Sequence, residues 1–536
     1  MSFPHEARGA FAADWRAGIR SIREIWLSPS LRTALWLCVP ALVLGALLRI
    51  YLCIEAPYGY FLSDTRNFID GAEDFLKNPL SVLGGSSRTF LASAVYSLPI
   101  AMGIPVLRAI PWIQHAIGLW MIVAAGLLCA AWLPRWRWCA VPVTLIVAVH
   151  PSILWYEHMA LPESMFVVLT LTTALGLALF LRAPSPPSFL VLLASIFFTA
   201  GARQEGFLYA IVALAGCVLA FRRDRRRMAI YLGATFLFLF ATTRASRTTQ
   251  GGQMLITSLI HHASDRLWSV PDYSERAVAL RNKFKPQWPI YPANHNESRD
   301  IIVGDVREFL IEKRGLSAEA ARRSNNSFCK RVAIEIAIRN FWVLPGMAYY
   351  KWLATHIEAP TPAFANGWMT NYAMKKVFGG EKSKEKKFLP RFYGRAYETA
   401  DAFERDLRQI YYPEHGLGWL DAWRAGFTRW TLWPHVQASI RSVSEENMMQ
   451  HVPRLPLLYP LGLAGLIGAV LITEKRKRMA LLTWLGMLIF TGFVVVITGS
   501  LRSRYRLAFE PYWFIGLTAL CAVFAALWAR LKGRRP

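Results

Sequence analysis

Long apolar runs decide what this chain can fold into. They cover roughly residues 31–52, 89–107, 110–132, 138–150, 163–182, 187–202, 205–221, 228–243, 456–473, 479–498 and 511–530. A helix needs about 20 apolar residues to cross a bilayer, and about 17 at the short end. Charged residues are 18% of the chain, against about 25% in soluble domains, and the shortfall sits in these runs. The expectation is an α-helical polytopic membrane protein. A net charge of +26 could suggest nucleic acid. The basic residues instead form short clusters beside apolar runs, as the positive-inside rule expects, and no nucleic-acid motif is present.

The clusters also orient the chain. Arg16, Arg20, Arg23 and Arg32 precede the first span. Arg222, Arg223, Arg225, Arg226 and Arg227 join two later spans, and Lys475, Arg476, Lys477 and Arg478 join two more. Arg530, Lys532, Arg534 and Arg535 close the sequence. All four clusters are expected on the cytoplasmic side. Counting crossings back from the C-terminus places 499–510, 244–455, Arg203-Gln204-Glu205 and Glu163 outside. Counting forward from the first span places 53–88 outside as well. An even number of crossings must then separate Asp64 from Glu163, yet three apolar runs lie between them. Trp138 to His150 is the shortest, roughly 20 Å if helical, and is read as re-entrant or peripheral. About ten crossings remain.

Three parts follow: an N-terminal transmembrane module over 1–243, an extracytoplasmic domain over 244–455, and a C-terminal transmembrane module over 456–536. Within the middle part, Val332 to Leu353 is apolar but carries Glu335, Arg339, Asn340 and Lys351. It is read as an amphipathic helix lying on the membrane. Lys382 to Lys387 reads as an exposed loop. The N-terminus lacks a signal-peptide cleavage pattern, so the first run is expected to be retained. Seven scattered Cys form no CxxC pair, and most are expected to be buried small hydrophobes.

Four short stretches could carry chemistry. After Phe61, the residues Leu62, Phe68, Ile69, Ala72, Phe75 and Leu76 recur at helical spacing, with Asp64 at the head of an amphipathic helix. Asp64 or Ser63 could merely cap that helix, or Asp64 could serve as a general base at the lipid–water boundary. The stretch His150 to Ser164 crowds Glu157, His158 and Glu163 with aromatics. Glu163, after Pro162, suits the first turn of the next span, but the loop is also a fair place for sugar or acceptor hydroxyls. Arg203-Gln204-Glu205 is either a turn with an internal ion pair or part of a site. Arg502-Ser503-Arg504-Tyr505-Arg506 falls outside by parity, against the charge rule. Arginine grips phosphate bidentately, so a phosphorylated lipid would explain the exception, as would ordinary headgroup anchoring. His261, His262 and Asp265 lack metal-site spacing and read as a solvated loop. Asn296-Glu297-Ser298 fits the glycosylation sequon, a frequent chance match.

In this order, these positions resemble the GT-C superfamily of membrane glycosyltransferases, most of all bacterial relatives of protein O-mannosyltransferases and of the lipid A aminoarabinose transferase. The resemblance covers about 30–240 and 455–530 and is weak between them. It implies a GT-C-like bundle of about ten spans plus re-entrant or peripheral helices, with a mostly helical outer domain. The donor is a polyprenyl-phosphate-linked sugar and the acceptor an envelope glycan, lipid or protein. It makes Asp64 the base, assigns lipid-phosphate binding to Arg502, Arg504, Tyr505 and Arg506, and leaves Glu163, Glu157, His158, Arg203 and Glu205 for acceptor or sugar. No cofactor is required; a divalent metal is compatible but not indicated. Relatives often have a second acid where this chain has Thr65, so an acid pair is missing there. The implied location is a bacterial inner membrane, with the active site on the periplasmic side. The rival from another class is a transporter of lipid-linked sugar or polymer that performs no chemistry.

Overall fold

The computed structural model describes residues 5–60, 65–79, 89–245, 251–284, 295–342, 344–345, scattered residues between 394 and 423, 458–473, 475–498 and 508–532. Every regular element among them is helical. The one β contact there is an isolated parallel bridge between Tyr60 and Met159. The chain opens with α1 (His5–Trp26), α2 (Pro29–Glu55), α3 (Thr65–Lys77), α4 (Phe90–Ala101) and α5 (Val106–Trp132). A 3₁₀ turn (Pro134–Cys139) leads to α6 (Ala140–Val149), α7 (Pro151–Glu157), α8 (Glu163–Arg182) and α9 (Pro186–Ala202). A second 3₁₀ turn (Gln204–Tyr209) precedes α10 (Ala210–Phe221) and α11 (Arg225–Ala245). The middle region contributes α12 (Gly251–Leu259), α13 (Ser274–Lys283), α14 (His295–Glu312) and α15 (Ala318–Arg339). The end of the chain contributes α16 (Leu458–Ile472), α17 (Lys475–Thr498) and α18 (Glu510–Leu531).

Among the described residues, four helices are long and apolar enough to cross a membrane: α2, α5, α8 and residues 510–529 of α18. The segment 134–149 and α7, bent by 52° at His150, makes a fifth if taken as one span. The apolar stretches Phe90–Ala101, Pro186–Ala202, Glu205–Phe221, Pro460–Ile472 and Arg478–Gly492 are shorter. Large apolar side chains stay exposed along α2 (Trp36, Leu47, Ile54), α11 (Ile230, Leu237, Phe240) and α18 (Phe524, Trp528). In water such a surface is a liability; in lipid it is the matching one. Six of the seven cysteines are buried, and Cys521 is exposed.

The helices run between two chemically distinct ends. At the basic end, Arg227 pairs with Asp14 of α1 at 3.4 Å. There α1 also approaches the start of α9 so closely that a Cβ on Gly18 would meet Ser185 and Pro187. The Thr473 hydroxyl donates to the Trp132 carbonyl at 3.3 Å, and Arg478 donates to the Thr473 carbonyl at 3.2 Å. An apolar cavity of about 450 Å³, lined by Trp26, Trp120, Trp132 and Arg182, opens at this end. At the other end lie Tyr60, Leu107, His158, Glu163 and Arg203, joined by the contacts described below; we call it the acid end. Between the ends, α16 and α18 run parallel: Gly462 faces Trp513, Gly465 faces Gly516 and Gly468 faces Val523. A Cβ at Gly516 would strike the Gly462 carbonyl at 2.0 Å, a close small-residue approach of the kind membrane helices use.

This geometry shows where the runs between 89 and 157 begin and end. The Gly59 amide donates to the Leu107 carbonyl at 2.6 Å and the next amide, Tyr60, donates to the His158 carbonyl at 2.8 Å. The chain thus leaves the acid end at Leu107, reaches the basic end at Trp132 and is back at His158. The leg 134–157, which contains the run Trp138 to His150 read as re-entrant or peripheral, makes the return, with the 52° bend of a broken span or a re-entrant loop. Its 13-residue apolar run looked too short alone, but α7 continues it past the Pro151 bend. Helix α4 starts beside Ala202, whose carbonyl accepts from the Thr89 hydroxyl at 2.8 Å, and leads through Gly103 (φ 68°) back to Leu107. Both of its ends are at the acid end. In a background lacking Cys521, Met102→Cys should react with an impermeant thiol reagent from the same side as Glu163→Cys, and Arg137→Cys from the opposite side. The reverse pattern for 102 and 137 would restore the earlier assignment.

Helices α12 to α15 build a second core from Ile256, Leu259, Tyr273, Phe309, Phe328, Val332 and Ile336. The stretch from Val332 does not start a helix of its own. Its first eight residues are the last turns of α15, with Val332, Ala333 and Ile336 buried. Glu335 accepts from the Ser269 amide (2.9 Å) and hydroxyl (2.7 Å), from the Trp268 amide, and pairs with Arg339 at 3.1 Å. Burial opposes its ionisation, yet these donors outweigh it and hold its pKa below the usual value. Residues 346–353 and 382–387 lie outside the described residues.

Candidate functional site

Helix α8 begins the site. Pro162 occupies the N-cap position and Glu163 the first helical residue, and the Phe166 amide donates to the Pro162 carbonyl at 2.9 Å. A carboxylate there meets the positive end of the helix dipole, as Arg182 in the last turn meets the negative one. Helix α9 ends at Ala202, and Arg203 turns extended (φ −148°, ψ 148°). That conformation swings its side chain across to α8. Arg203 Nη1 donates to Glu163 Oε1 at 3.2 Å, while Nη2 and Nε donate to the two oxygens of Glu205 at 3.2 and 3.3 Å. The guanidinium also sits 5.6 Å from the Phe166 ring centroid. Exposure grades outward: the Glu163 side chain is 5% exposed, Arg203 13% and Glu205 21%. The ion pair expected inside the turn is present, and Arg203 also pairs with Glu163.

A second strand of contacts fixes the segment before α8. The Tyr60 amide donates to the His158 carbonyl and the Ala160 amide to the Tyr60 carbonyl at 3.1 Å. The Thr65 hydroxyl donates to the Ala160 carbonyl at 3.3 Å. Gln114 of α5 is wholly buried and ties three elements together. Its amide donates to the Tyr96 hydroxyl at 3.1 Å and to the Met159 carbonyl, and its oxygen accepts from the Ser164 hydroxyl. Helix α3 starts at Thr65 and buries Phe68, Ile69 and Ala72, the amphipathic pattern expected after Phe61. Asp64, one residue earlier in sequence, lies outside the described residues, as do Arg502, Arg504, Tyr505 and Arg506.

Glu157 and His158 correct the sequence reading. The sequence puts them in a short outer loop suited to sugar or acceptor hydroxyls, but they are 0% and 1% exposed. Glu157 accepts from Arg49 Nη2 at 2.8 Å and stands 2.7 Å from His115 Nδ1. His158 stands 3.1 Å from His115 and 2.7 Å from the Ala56 carbonyl. Sequence reasoning missed Arg49, His115 and Gln114. The signal was available: each is a polar or ionisable residue inside an apolar run, which in a membrane demands a partner. A further buried pair, His150 and Glu510 at 3.2 Å, joins the α6–α7 bend to the start of α18.

Among the described residues, no three His, Cys, Asp or Glu side chains converge as metal ligands. Asp265 instead pairs with Arg281 at 3.0 Å, and the His262 carbonyl accepts from Asn340. No protein-family model, no curated protein and no solved structure matches this chain.

Proposed function

We propose that this protein is an inverting membrane glycosyltransferase that moves a sugar from a polyprenyl-phosphate donor to an extracytoplasmic glycan, lipid or protein. One observation supports it above others. The segments flanking Asp64, at Tyr60 and Thr65, are hydrogen-bonded to the 158–160 segment that leads directly into Glu163. Two acid-bearing loops, far apart in sequence, thus share the end opposite the basic clusters. In this reading the basic end is cytoplasmic, the acid end periplasmic, and about ten helical legs cross a bacterial inner membrane.

In the reaction, Asp64 takes the proton of an acceptor hydroxyl as its oxygen bonds to the anomeric carbon. The bond from that carbon to the phosphate oxygen breaks with inversion, and the lipid phosphate leaves as an anion. Such a leaving group needs charge stabilisation rather than an acid, which Arg502, Arg504 and Arg506 supply, with Tyr505 beside them. Glu163, Arg203 and Glu205 form the neighbouring polar wall, and Glu205, the most exposed of the three, is the one to meet sugar or acceptor hydroxyls. No metal or other cofactor is needed for these steps. Purified protein in liposomes, given radiolabelled polyprenyl-phosphate sugars, should transfer or hydrolyse at least one. Failure with every donor would end the reading.

Single Arg→Ala changes at 502, 504 and 506 should weaken donor binding. Loss of one charged bidentate contact removes roughly 1.5–3 kcal/mol, about ten- to a hundredfold in affinity. If all three variants bind donor like the wild type, the cluster is a headgroup anchor.

A second reading, transport of a lipid-linked sugar or polymer without chemistry, gains from the buried Arg49, Glu157, His115 and His158, since transporters keep ionisable groups inside their spans. Donor crossing the bilayer of such liposomes intact, with no transfer or hydrolysis, would favour it.

A further inference from the structure

Beneath the acid end, ionisable side chains form one continuous buried chain. Arg49 of α2 is 2% exposed, Glu157 0%, His115 of α5 3% and His158 1%. Arg49 Nη1 donates to the carbonyls of Gly45 (3.2 Å) and Ala148 (3.0 Å), while Nη2 donates to Glu157 Oε1. From Glu157 Oε2 the links run through His115 and His158 to the Ala56 carbonyl, at 2.7, 3.1 and 2.7 Å. The space for this is built in. A Cβ on Gly118 would fall 1.9 Å from Glu157 Oε1, so α5 carries a glycine where the carboxylate presses against it. Ionisable groups in an apolar bundle are costly, and well-packed apolar residues are often at least as stabilising. Stability alone is therefore a poor reason for such a chain.

Its far end suggests a better one. Ala56 opens the stretch whose Gly59, Tyr60 and Thr65 are bonded to Leu107, His158 and Ala160, and Asp64 precedes Thr65 in sequence. We propose that the buried chain is a positioning device for the residues flanking Asp64, with Glu157 and His158 acting through Ala56, Tyr60 and Thr65 and never touching substrate. The inference rests on the transferase reading only for the role of Asp64; the positioning itself has its own readout.

Proton counting makes the proposal specific. The Ala56 carbonyl can only accept, so His158 Nε2 carries a proton. The two other links, Glu157 to His115 and His115 to His158, each need one more. Two neutral imidazoles hold only two protons, so the third is shared within the Glu157–His115–His158 set. A glutamine at 157 removes that need. Its oxygen accepts from Arg49 and its NH₂ donates to His115 Nδ1. His115 Nε2–H then donates to His158 Nδ1, and His158 Nε2–H to Ala56. Alanine at 157 instead removes the carboxylate that faces both Arg49 Nη2 and His115 Nδ1.

The test uses the full chain in lipid nanodiscs, comparing wild type, Glu157→Gln and Glu157→Ala. Amide exchange is followed over 56–60 and 158–162, alongside transfer kinetics. In Glu157→Ala the Tyr60 and Ala160 amides should exchange about tenfold faster or more, as local opening becomes easier. Turnover should fall about ten- to a hundredfold through misplacement of the base, at unchanged donor KM. Glu157→Gln should match the wild type in both. Unchanged exchange in Glu157→Ala would overturn the proposal, and so would a Glu157→Gln protein with normal exchange and lost turnover, because that marks the acid as a participant in the chemistry. Should Glu157→Ala fail to accumulate, Gly118→Ala displaces the same carboxylate with every charge kept, and carries the same expected and overturning results. If exchange responds as expected while wild-type protein transfers no sugar, the transferase reading falls and the positioning device stands.

Discussion

Arg203→Ala should lower the unfolding midpoint of the purified protein more than any other change in the Glu163–Arg203–Glu205 cluster. Arg203 forks between two carboxylates from different elements, Glu163 at the start of α8 and Glu205 in the turn before α10. Glu163 is 4% exposed, so it cannot fall back on water once the guanidinium is gone. Removing one partner of a buried ion pair costs about 3–5 kcal/mol, because the charge left behind stays desolvated. Lysine keeps the charge but presents a point rather than a planar fork. Arg203→Lys should therefore hold one carboxylate and fall between wild type and alanine. Glu205→Gln should cost least, since that side chain is 21% exposed and the Glu163 contact persists. Thermal unfolding of the three variants in one detergent checks the order. An Arg203→Ala protein that melts with the wild type would mean the cluster is held by something other than charge.

Much of the helical architecture was legible because apolar length is a strong signal. The run 163–182 coincides with α8, and 31–52 lies within α2. Glu163 at a helix start followed from Pro162, since a proline there and an acid in the first turn both suit an N-terminus. The extent of the leg after Trp132 was less legible, for a physical reason. The apolar run itself stops at His150, so run length alone does not include α7. In the structure Pro151 starts α7, needs no amide partner there, and lets the 134–157 leg bend by 52° and continue.

The site was legible in position more than in orientation. Glu157 and His158 share a short stretch with Glu163 and look alike in composition. What separates them is a partner elsewhere in the chain. Glu163 meets Arg203 at the grading edge of the cluster, whereas Glu157 meets Arg49 and His115 inside it. Arg49 lies between Leu48 and Ile50 in an apolar run, so a buried acid to match it was required on electrostatic grounds. Pattern alone does not say which of several acids that is. The same applies to Gln114, whose three hydrogen bonds to Tyr96, Met159 and Ser164 depend on helix contacts that no local period encodes.

Asp64→Asn should abolish sugar transfer while leaving expression and melting unchanged. Thr65 begins α3, and Thr65 and Tyr60 are both bonded to the 158–160 segment, so the flanks of residue 64 are held in place; in the proposed transferase that is where lipid-borne donor and water-borne acceptor meet. An ionised carboxylate can accept a proton. The amide preserves size and hydrogen-bonding shape but is no base. Asparagine is also as good a helix N-cap as aspartate, so a residue that only caps α3 predicts near-normal turnover and stability for this substitution. A general base predicts a loss of about a hundredfold or more. Asp64→Ala adds the control: it should lose turnover to the same degree, and if capping matters as well it should melt earlier by the equivalent of about 1 kcal/mol. Turnover with a labelled polyprenyl-phosphate donor, measured beside thermal unfolding for both variants, decides the matter. An Asp64→Asn protein that transfers sugar at the wild-type rate would remove Asp64 from the chemistry and leave the acid end without a base in the first loop.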